Sequence, residues 1–190
     1  VETGTSIYGN NEKRYYERSG AAHNILQLAP FKKNNKGLVN WIESVEVWGN
    51  FRAARKARIL EKVGMILKDG TIFMKGSNDA NSLYGAKYIR VIKLKERNDK
   101  DVLLEVVDEI ICTKKMYWRQ FWHLGPNQPL EFINPIISEL RKKIIFEEKF
   151  LDTWIAKEFG KIEKRKTLQL SGIIEPGSHS FYNKIVVRNS

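Results

Sequence analysis

Side chains that could bind an anion or transfer a proton are concentrated near the start of the chain. Ten residues hold two tyrosines, an arginine and a His-Asn pair: Tyr15, Tyr16, Arg18, His23 and Asn24. A tyrosine hydroxyl donates or accepts a proton, and an arginine holds a carboxylate or sulfate through two parallel hydrogen bonds. The pattern indicates a site for an anionic ligand. The alternative is a surface loop in which the tyrosines pack and Arg18 makes an ion pair.

Composition limits the partners that this site could serve. The chain has 190 residues, 42% of them hydrophobic, and a formal net charge of +11. A surplus of that size favours an acidic polysaccharide, a nucleic acid or a membrane surface as partner. Cys112 is the only cysteine, which excludes an internal disulfide and a cysteine-based zinc site. No stretch approaches the ~20 apolar residues that a membrane helix needs.

Short alternating runs of polar and apolar residues recur between turn residues, as in an antiparallel sheet protein. The Lys68-Asp69-Gly70 turn between two apolar runs predicts a hairpin. Helical signals are limited to residues 134–143 and, mixed with strand signals, to residues 152–162. We therefore expect an all-β antiparallel sandwich with at most short helical turns, forming one domain over residues 1–190. The predicted strands are 23–28, 45–48, 51–60, 63–67, 71–74, 92–95, 102–107, 116–124, 144–150, 168–174 and 185–187.

The remaining polar and aromatic residues have ordinary structural explanations. His23, His123 and His179 are too far apart in sequence for a self-contained metal site, and His123 is expected to be a hydrogen-bonded structural residue. Most of the five tryptophans are expected in the core rather than as sugar-stacking surfaces. A basic run is expected to be an exposed stretch between strands; it comprises Lys157, Lys161, Lys164, Arg165 and Lys166.

Eight short segments, in order along most of the chain, carry a family resemblance. They resemble the motifs of the C-terminal domain of heparinase II/III-like polysaccharide lyases. Glu2 replaces the usual Asp of the first motif, and Ile25 replaces the usual Thr after the third. The segments are 1–9 (VETGTSIYG), 16–19 (YERS), 22–24 (AHN), 49–57 (GNFRAARKA), 88–92 (YIRVI), 106–110 (VVDEI), 121–126 (FWHLGP) and 154–160 (WIAKEFG).

This resemblance implies a super-sandwich fold and a place at the C-terminal end of a longer protein. Lyases of this family cleave uronate-containing polysaccharides by β-elimination, and their main Tyr, His and Asn come from an upstream α-helical toroid. The fragment alone is therefore expected to be inactive. Its implied partners are an acidic polysaccharide and the upstream helical domain of the same chain. A periplasmic, cell-surface or secreted location is implied by the resemblance alone.

The resemblance also implies roles for particular residues. Tyr16 and His23 are the candidate cleft residues, and the substrate-binding candidates are Arg18, Asn24, Tyr8 and Tyr15. Glu2 and His23 are implied as two metal ligands, with further histidines in an upstream H-x-H segment. One carboxylate and one imidazole are too few to hold zinc well. We therefore expect zinc, if any, in the full-length parent and none in the fragment.

Two other functions compete with the lyase domain. The first is a non-catalytic carbohydrate-binding β-sandwich module. The second is a nucleic-acid-binding domain, although the sequence contains no helix-turn-helix, zinc knuckle or ribonucleoprotein aromatic signature.

Overall fold

The computed structural model describes residues 3–32, 39–48, 52–98, 101–126 and 146–188. Within these residues there is one α-helix, α1 (Glu12–Arg18), and there are two 3-10 turns, Gly20–Ala22 and Ser82–Tyr84. The strands are β1 (Leu26–Pro30), β2 (Val45–Trp48), β3 (Arg52–Lys56), β4 (Ile59–Ile66), β5 (Ile72–Asn78), β6 (Ala86–Asn98), β7 (Asp101–Cys112), β8 (Met116–His123), β9 (Glu147–Glu158), β10 (Lys161–Ile174) and β11 (Gly177–Arg188).

The strands form antiparallel ladders in two compact units. The first unit comprises Val1–Ala57, Met116–Pro129 and Phe146–Ile174, and the second comprises Arg58–Lys115, Leu130–Ile145 and Glu175–Ser190. The predicted all-β antiparallel class is confirmed. That residues 1–190 form a single domain stays a prediction. No helix in the described part of the chain is long and apolar enough to cross a membrane.

The first unit contains a four-stranded sheet in the order β1-β8-β10-β9 and a β2-β3 ribbon. Alternation along β8 determines which side of the sheet is apolar. Met116, Trp118 and Trp122 alternate with polar and aromatic residues and are buried, as the sequence predicted. Leu28, Leu168 and Leu170 occupy matching positions on β1 and β10 and are also buried.

The second unit contains a five-stranded sheet in the order β11-β7-β6-β5-β4. The predicted hairpin joins β4 to β5, where the Thr71 amide donates to Asp69 Oδ1 at 3.1 Å. Gly70, with a φ of +81°, adopts the left-handed conformation that the turn requires. The register places Arg90 of β6 opposite Asp108 of β7. Each of these residues belongs to one of the family-like segments, 88–92 and 106–110.

Some sequence predictions of secondary structure were wrong. Residues 51–60 were expected as one strand, but the chain leaves β3 after Lys56 and enters β4 at Ile59. The break lies at Arg58, whose amide donates to the Asp79 side chain at 2.7 Å and not to β2, the strand that pairs with β3. Residues 152–158 lie in β9, so their helical signal was overridden by pairing with β10. The helical prediction for residues 134–143 lies outside the described residues.

Helix α1 was missed by the sequence analysis, which predicted no helix over these residues. Its first residue follows Asn11, whose Oδ1 accepts from the Arg14 amide at 2.9 Å as an N-cap. Glu12 in the first turn and Arg18 in the last turn complement the helix dipole. At seven residues the helix is too short to be stable alone, so packing on the sheet must stabilise it.

Gly4 allows the N-terminal segment to lie against β9. Its φ is +75°, and a Cβ built there would be 2.1 Å from the Ala156 carbonyl oxygen. Gly4→Ala is therefore expected to displace the segment and lower the free energy of unfolding by about 1–3 kcal/mol, as measured by urea denaturation. Gly70→Ala is the control, because Gly70 also has a positive φ but open space around it. Equal losses in both variants would contradict the importance of the close approach to Ala156.

Candidate functional site

A buried polar cluster lies on one face of the four-stranded sheet of the first unit. Register places His123 opposite Thr167, and Thr153 opposite Arg165. Thr167 Oγ1 lies 2.7 Å from His123 Nδ1 and 2.6 Å from Thr153 Oγ1, so the three side chains form a continuous hydrogen-bonded row. Arg165 Nη2 donates to Thr3 Oγ1 at 2.5 Å. Thr3 in turn donates to the Ala22 carbonyl at 2.6 Å, which ties the N-terminal segment to this face.

Burial keeps the His123 imidazole uncharged. Desolvation and, to a smaller extent, the positive charge of Arg165 together lower its pKa from 6.5 to about 3, against a smaller raising effect from the Ala21 backbone. The ring also stacks on Phe121, with ring centroids 6.1 Å apart. His123 is thus a neutral, hydrogen-bonded residue of the wall, which agrees with the structural role expected for it.

Tyr16 lies over the same cluster from α1. Its ring packs on Trp154 with centroids 4.7 Å apart, and its hydroxyl is shielded from solvent beside Thr3, Thr153 and Arg165. Burial raises the pKa of the phenol, and the neighbouring Arg165 and hydroxyl groups offset only part of that rise. Tyr16 is therefore protonated at neutral pH.

Glu17 anchors α1 next to the cluster. Its buried carboxylate accepts from the Ser6 amide at 3.1 Å, from the Ser6 hydroxyl, and from Trp154 Nε1 at 3.4 Å. Arg14 Nη1 lies 3.6 Å from the other carboxylate oxygen. These contacts fix the helix against the N-terminal segment and β9. The sequence analysis gave Glu17 no role, since nothing in the local pattern distinguishes it from an exposed helical glutamate.

His23 and Asn24 connect the cluster to the start of β1. Asn24 Oδ1 accepts from the His123 backbone amide at 2.6 Å, which joins two family-like segments that are 99 residues apart. His23 is half-buried, and its charge is close enough to lower the pKa of His123. The predicted site residues Tyr16, His23 and Asn24 therefore lie around one cluster.

The other predicted substrate-binding residues lie on the outer side of the N-terminal segment and α1. Arg18 is half-buried in the last turn of α1. Tyr15 is exposed, and its hydroxyl lies 3.5 Å from Asn10 Oδ1. Tyr8 is exposed and contacts Phe159, with ring centroids 4.8 Å apart.

The expectation that Arg165 is exposed with its basic neighbours was wrong. Lys164 and Lys166 are exposed, but Arg165 between them is buried on the face that carries Thr167. The N-terminal segment and Tyr16 lie against that face, where Thr3 accepts from Arg165. Alternation places Arg165 and Thr167 on the polar side of β10 with Glu163 and Gln169, so no local signal identified them as buried.

A metal site is not completed by the described residues. His23 is the only implied ligand among them, and Glu2 lies outside them. In the part of the chain that the structure describes, no group of three His, Cys, Asp or Glu side chains could hold a metal ion. The donor set here does not fit zinc by itself.

Two tryptophans support the predicted core assignment, and a third packs against an arginine. Trp118 and Trp122 are buried. The Arg119 guanidinium lies 4.1 Å from the centroid of Trp41 and donates to Gln27 Oε1 at 2.9 Å and 2.7 Å. Desolvation lowers the pKa of Arg119 to about 10, against the raising effect of Glu43, so Arg119 remains charged at neutral pH.

Comparisons with solved structures show the fold. The chain is 15% identical to a heparan sulfate lyase, HepC, from Pedobacter heparinus, with a TM-score of 0.60. It is 12% identical to a heparinase III gene product, with a TM-score of 0.61, and 16% identical to another heparinase III, with a TM-score of 0.56. Each alignment covers 100% of this chain and 28% of the other, and the likeness confirms the predicted β-sandwich class.

The family assignment comes from the sequence as a whole. No functionally characterised, curated protein matches the chain significantly. The model of the family described as "Heparinase II/III-like, C-terminal" matches residues 1–184. That match includes all eight motif-like segments, and its extent leaves only the last few residues unmatched. The chain belongs to the heparinase II/III-like C-terminal domain family.

Proposed function

We propose that this chain is the C-terminal domain of a polysaccharide lyase that cleaves uronate-containing acidic polysaccharides by β-elimination. It contributes one wall of the substrate cleft and is not competent alone. Family membership and the net charge of +11 support the substrate class. The chain spans 28% of the lyases that it resembles, so the remaining catalytic groups belong to the rest of such a protein.

The hydrogen bond from the His123 amide to Asn24 Oδ1 is the observation that most supports this proposal. It fixes the His23-Asn24 segment at the end of β8, above a row of buried polar side chains. A binding wall needs side chains held by packing and hydrogen bonds, since a displacement of 1 Å can cost a large part of the rate. A surface loop that only connects two elements would not require this hydrogen bond.

β-Elimination places three demands on the cleft. The uronate carboxylate must be neutralised, the proton at C5 must be removed, and the departing O4 must receive a proton. His23 and Asn24 suit contacts with the carboxylate or the departing oxygen, because both present polar groups at the edge of the wall. Arg18 suits carboxylate or sulfate binding through its guanidinium.

Tyr16 and His123 serve this wall as positioning residues. The phenol is shielded and has a raised pKa, so it is a poor base at neutral pH. The neutral imidazole of His123 bonds to Thr167, and the backbone amide of His123 donates to Asn24 next to His23. A divalent metal held by Glu2, His23 and histidines outside this chain stays a prediction, and no step above uses it.

The test is a lyase assay on this chain expressed together with the sequence that precedes it in its gene. Ultraviolet absorbance follows the unsaturated uronate product on heparan sulfate, hyaluronan and alginate. His23→Ala is expected to lower kcat/KM about 10- to 100-fold on the polymer that is cleaved. Tyr16→Phe is expected to have a smaller effect, because the hydroxyl that it removes is shielded. His179→Ala, in the second unit, is the matched control.

Three outcomes would count against the proposal. No absorbance change on any uronate polymer would reject the lyase for these substrates and favour a carbohydrate-binding module. Equal activity of wild type and His23→Ala would keep the lyase but remove His23 from the cleft. A loss in His179→Ala as large as that in His23→Ala would indicate a general defect in folding.

A further inference from the structure

Two exposed aromatic rings meet at the tip of the β9–β10 hairpin. Tyr8 is 55% exposed and Phe159 is 60% exposed, yet their ring centroids are 4.8 Å apart with an interplanar angle of 33°. Aromatic side chains of this size contribute much of the energy of cores and interfaces. A contiguous pair left in solvent therefore indicates a surface that contacts a ligand.

Backbone contacts hold the two rings together. The N-terminal segment follows the edge of β9, where the Ala156 amide donates to the Thr3 carbonyl at 2.7 Å. Further along, the Gly160 amide donates to the Ser6 carbonyl at 3.0 Å. The two bonds fix the N-terminal segment just before Tyr8, and the second of them involves Gly160, the residue after Phe159. Little conformational entropy would therefore be lost when a ligand binds.

Arg14 supports the Tyr8 ring from the side of α1. Its guanidinium carbon lies 5.9 Å from the ring centroid, within the range of a cation–π contact. Arg14 Nη1 donates to Thr5 Oγ1 at 3.1 Å and lies 3.6 Å from Glu17, so the guanidinium is held in place. Arg14 therefore contacts the Tyr8 ring, and its own side chain is largely buried.

Charges around the two rings cancel locally. Lys157 pairs with Glu163 at 2.9 Å, and Lys161 pairs with Glu158 at 2.5 Å. Because these cations are paired, the aromatic rings rather than the neighbouring lysines are expected to supply the contact here. The outward parts of the two packed rings suit the apolar face of a ligand, while its charged groups remain in solvent.

We propose that Tyr8 and Phe159 form a stacking platform for one sugar ring of a uronate-containing polysaccharide. The proposal rests on the proposed function and adds Phe159, a residue that the sequence analysis did not select. The C–H face of a pyranose lies on the rings, while its hydroxyl and carboxylate groups point along the rim. Because the contact is apolar, its share of the affinity changes little with salt, unlike that of exposed charges.

The test measures binding of heparan sulfate oligosaccharides to the 190-residue chain by calorimetry at low and high salt. Phe159→Ala and Tyr8→Ala are each expected to weaken binding about tenfold, by the same factor at both salt concentrations. Phe159→Leu keeps much of the apolar area but loses the ring, and it is expected to behave like Phe159→Ala. Phe150→Ala is the matched control, because Phe150 lies within β9, away from the turn that carries Phe159, and is 42% exposed. Phe150→Ala is expected to bind like wild type.

Each other result overturns the platform in a distinguishable way. Equal binding by wild type, Phe159→Ala and Phe150→Ala removes the platform and leaves the proposed lyase intact. An effect of Phe159→Ala that disappears at high salt, or equal binding to single-stranded DNA, assigns the surface to general polyanion attraction. No binding of any uronate oligosaccharide by wild type rejects the platform, while the absorbance assay decides the lyase independently.

Discussion

Replacement of Asp108 by alanine is expected to lower the free energy of unfolding by about 3–5 kcal/mol, as measured by urea denaturation. Asp108 is fully buried in the second unit, and both of its oxygens accept from Arg90, at 2.6 Å and 2.8 Å. Tyr88 donates to the same carboxylate at 2.7 Å. Removal of the carboxylate leaves a largely buried guanidinium and a phenol without their main acceptor.

The Arg90 guanidinium stays charged in its buried position. Burial alone would lower its pKa, but Tyr88 and Asp108 outweigh that effect, so the pKa of Arg90 is raised. An arginine guanidinium does not lose its proton in proteins, so the positive charge persists after Asp108 is removed, which is why the loss is large.

Two control variants test whether the loss of stability in Asp108→Ala comes from leaving a charge buried or from losing an ion pair. Glu61→Ala breaks the Lys75–Glu61 pair of the same sheet, at 2.8 Å and about one-third exposed, and should cost less than about 1 kcal/mol. The double variant with Arg90→Met and Asp108→Leu removes both buried charges and should recover most of the loss. A loss in Asp108→Ala no larger than that in Glu61→Ala would contradict the buried-pair explanation.

The stability of the chain is expected to fall steeply as the pH decreases from about 6.5 towards 3, in part because of His123. The pKa of His123 is about 3 in the folded chain and 6.5 in the unfolded chain. Between these values the unfolded chain binds a proton that the folded chain does not, so the folded state loses stability as the pH falls. At the acid end the loss from this residue is on the order of 4 kcal/mol.

His123→Gln removes the titrating group while retaining a side chain that can bond to Thr167. Urea denaturation across this pH range should show a shallower pH dependence for His123→Gln than for wild type. Phe150→Ala, an exposed change on the same sheet, should keep the wild-type dependence. Parallel curves for wild type and His123→Gln would show that His123 is not the group responsible.

Local sequence patterns predicted the parts of the fold that local chemistry controls. The Lys68-Asp69-Gly70 turn predicted the β4–β5 hairpin, because a glycine in the left-handed conformation and an aspartate that accepts from the backbone are sufficient for that turn. Alternation along β8 predicted its buried tryptophans, since one face of that strand is apolar. Helix α1 was missed because seven residues give too little periodicity to recognise.

The candidate site could be predicted only in part. His23 and Asn24 were found from their types and position before β1, and the order of the segments identified the family. Arg165 could not be separated from its lysine neighbours by charge alone. Its burial depends on the N-terminal segment, whose Thr3 accepts from Arg165 across 162 residues, which is a long-range property.

The sequence by itself determined the family, the all-β class and the presence of an anion-directed group of residues near the start. Those properties depend on residue type, spacing and order along the chain. Only the tertiary structure decided which distant residues meet: Asn24 with His123, Arg90 with Asp108, and Tyr8 with Phe159. Antiparallel register pairs Arg90 with Asp108, and a register shift of one residue would turn these side chains to the opposite face. The Tyr8–Phe159 contact depends on the N-terminal segment lying along β9, across 151 residues.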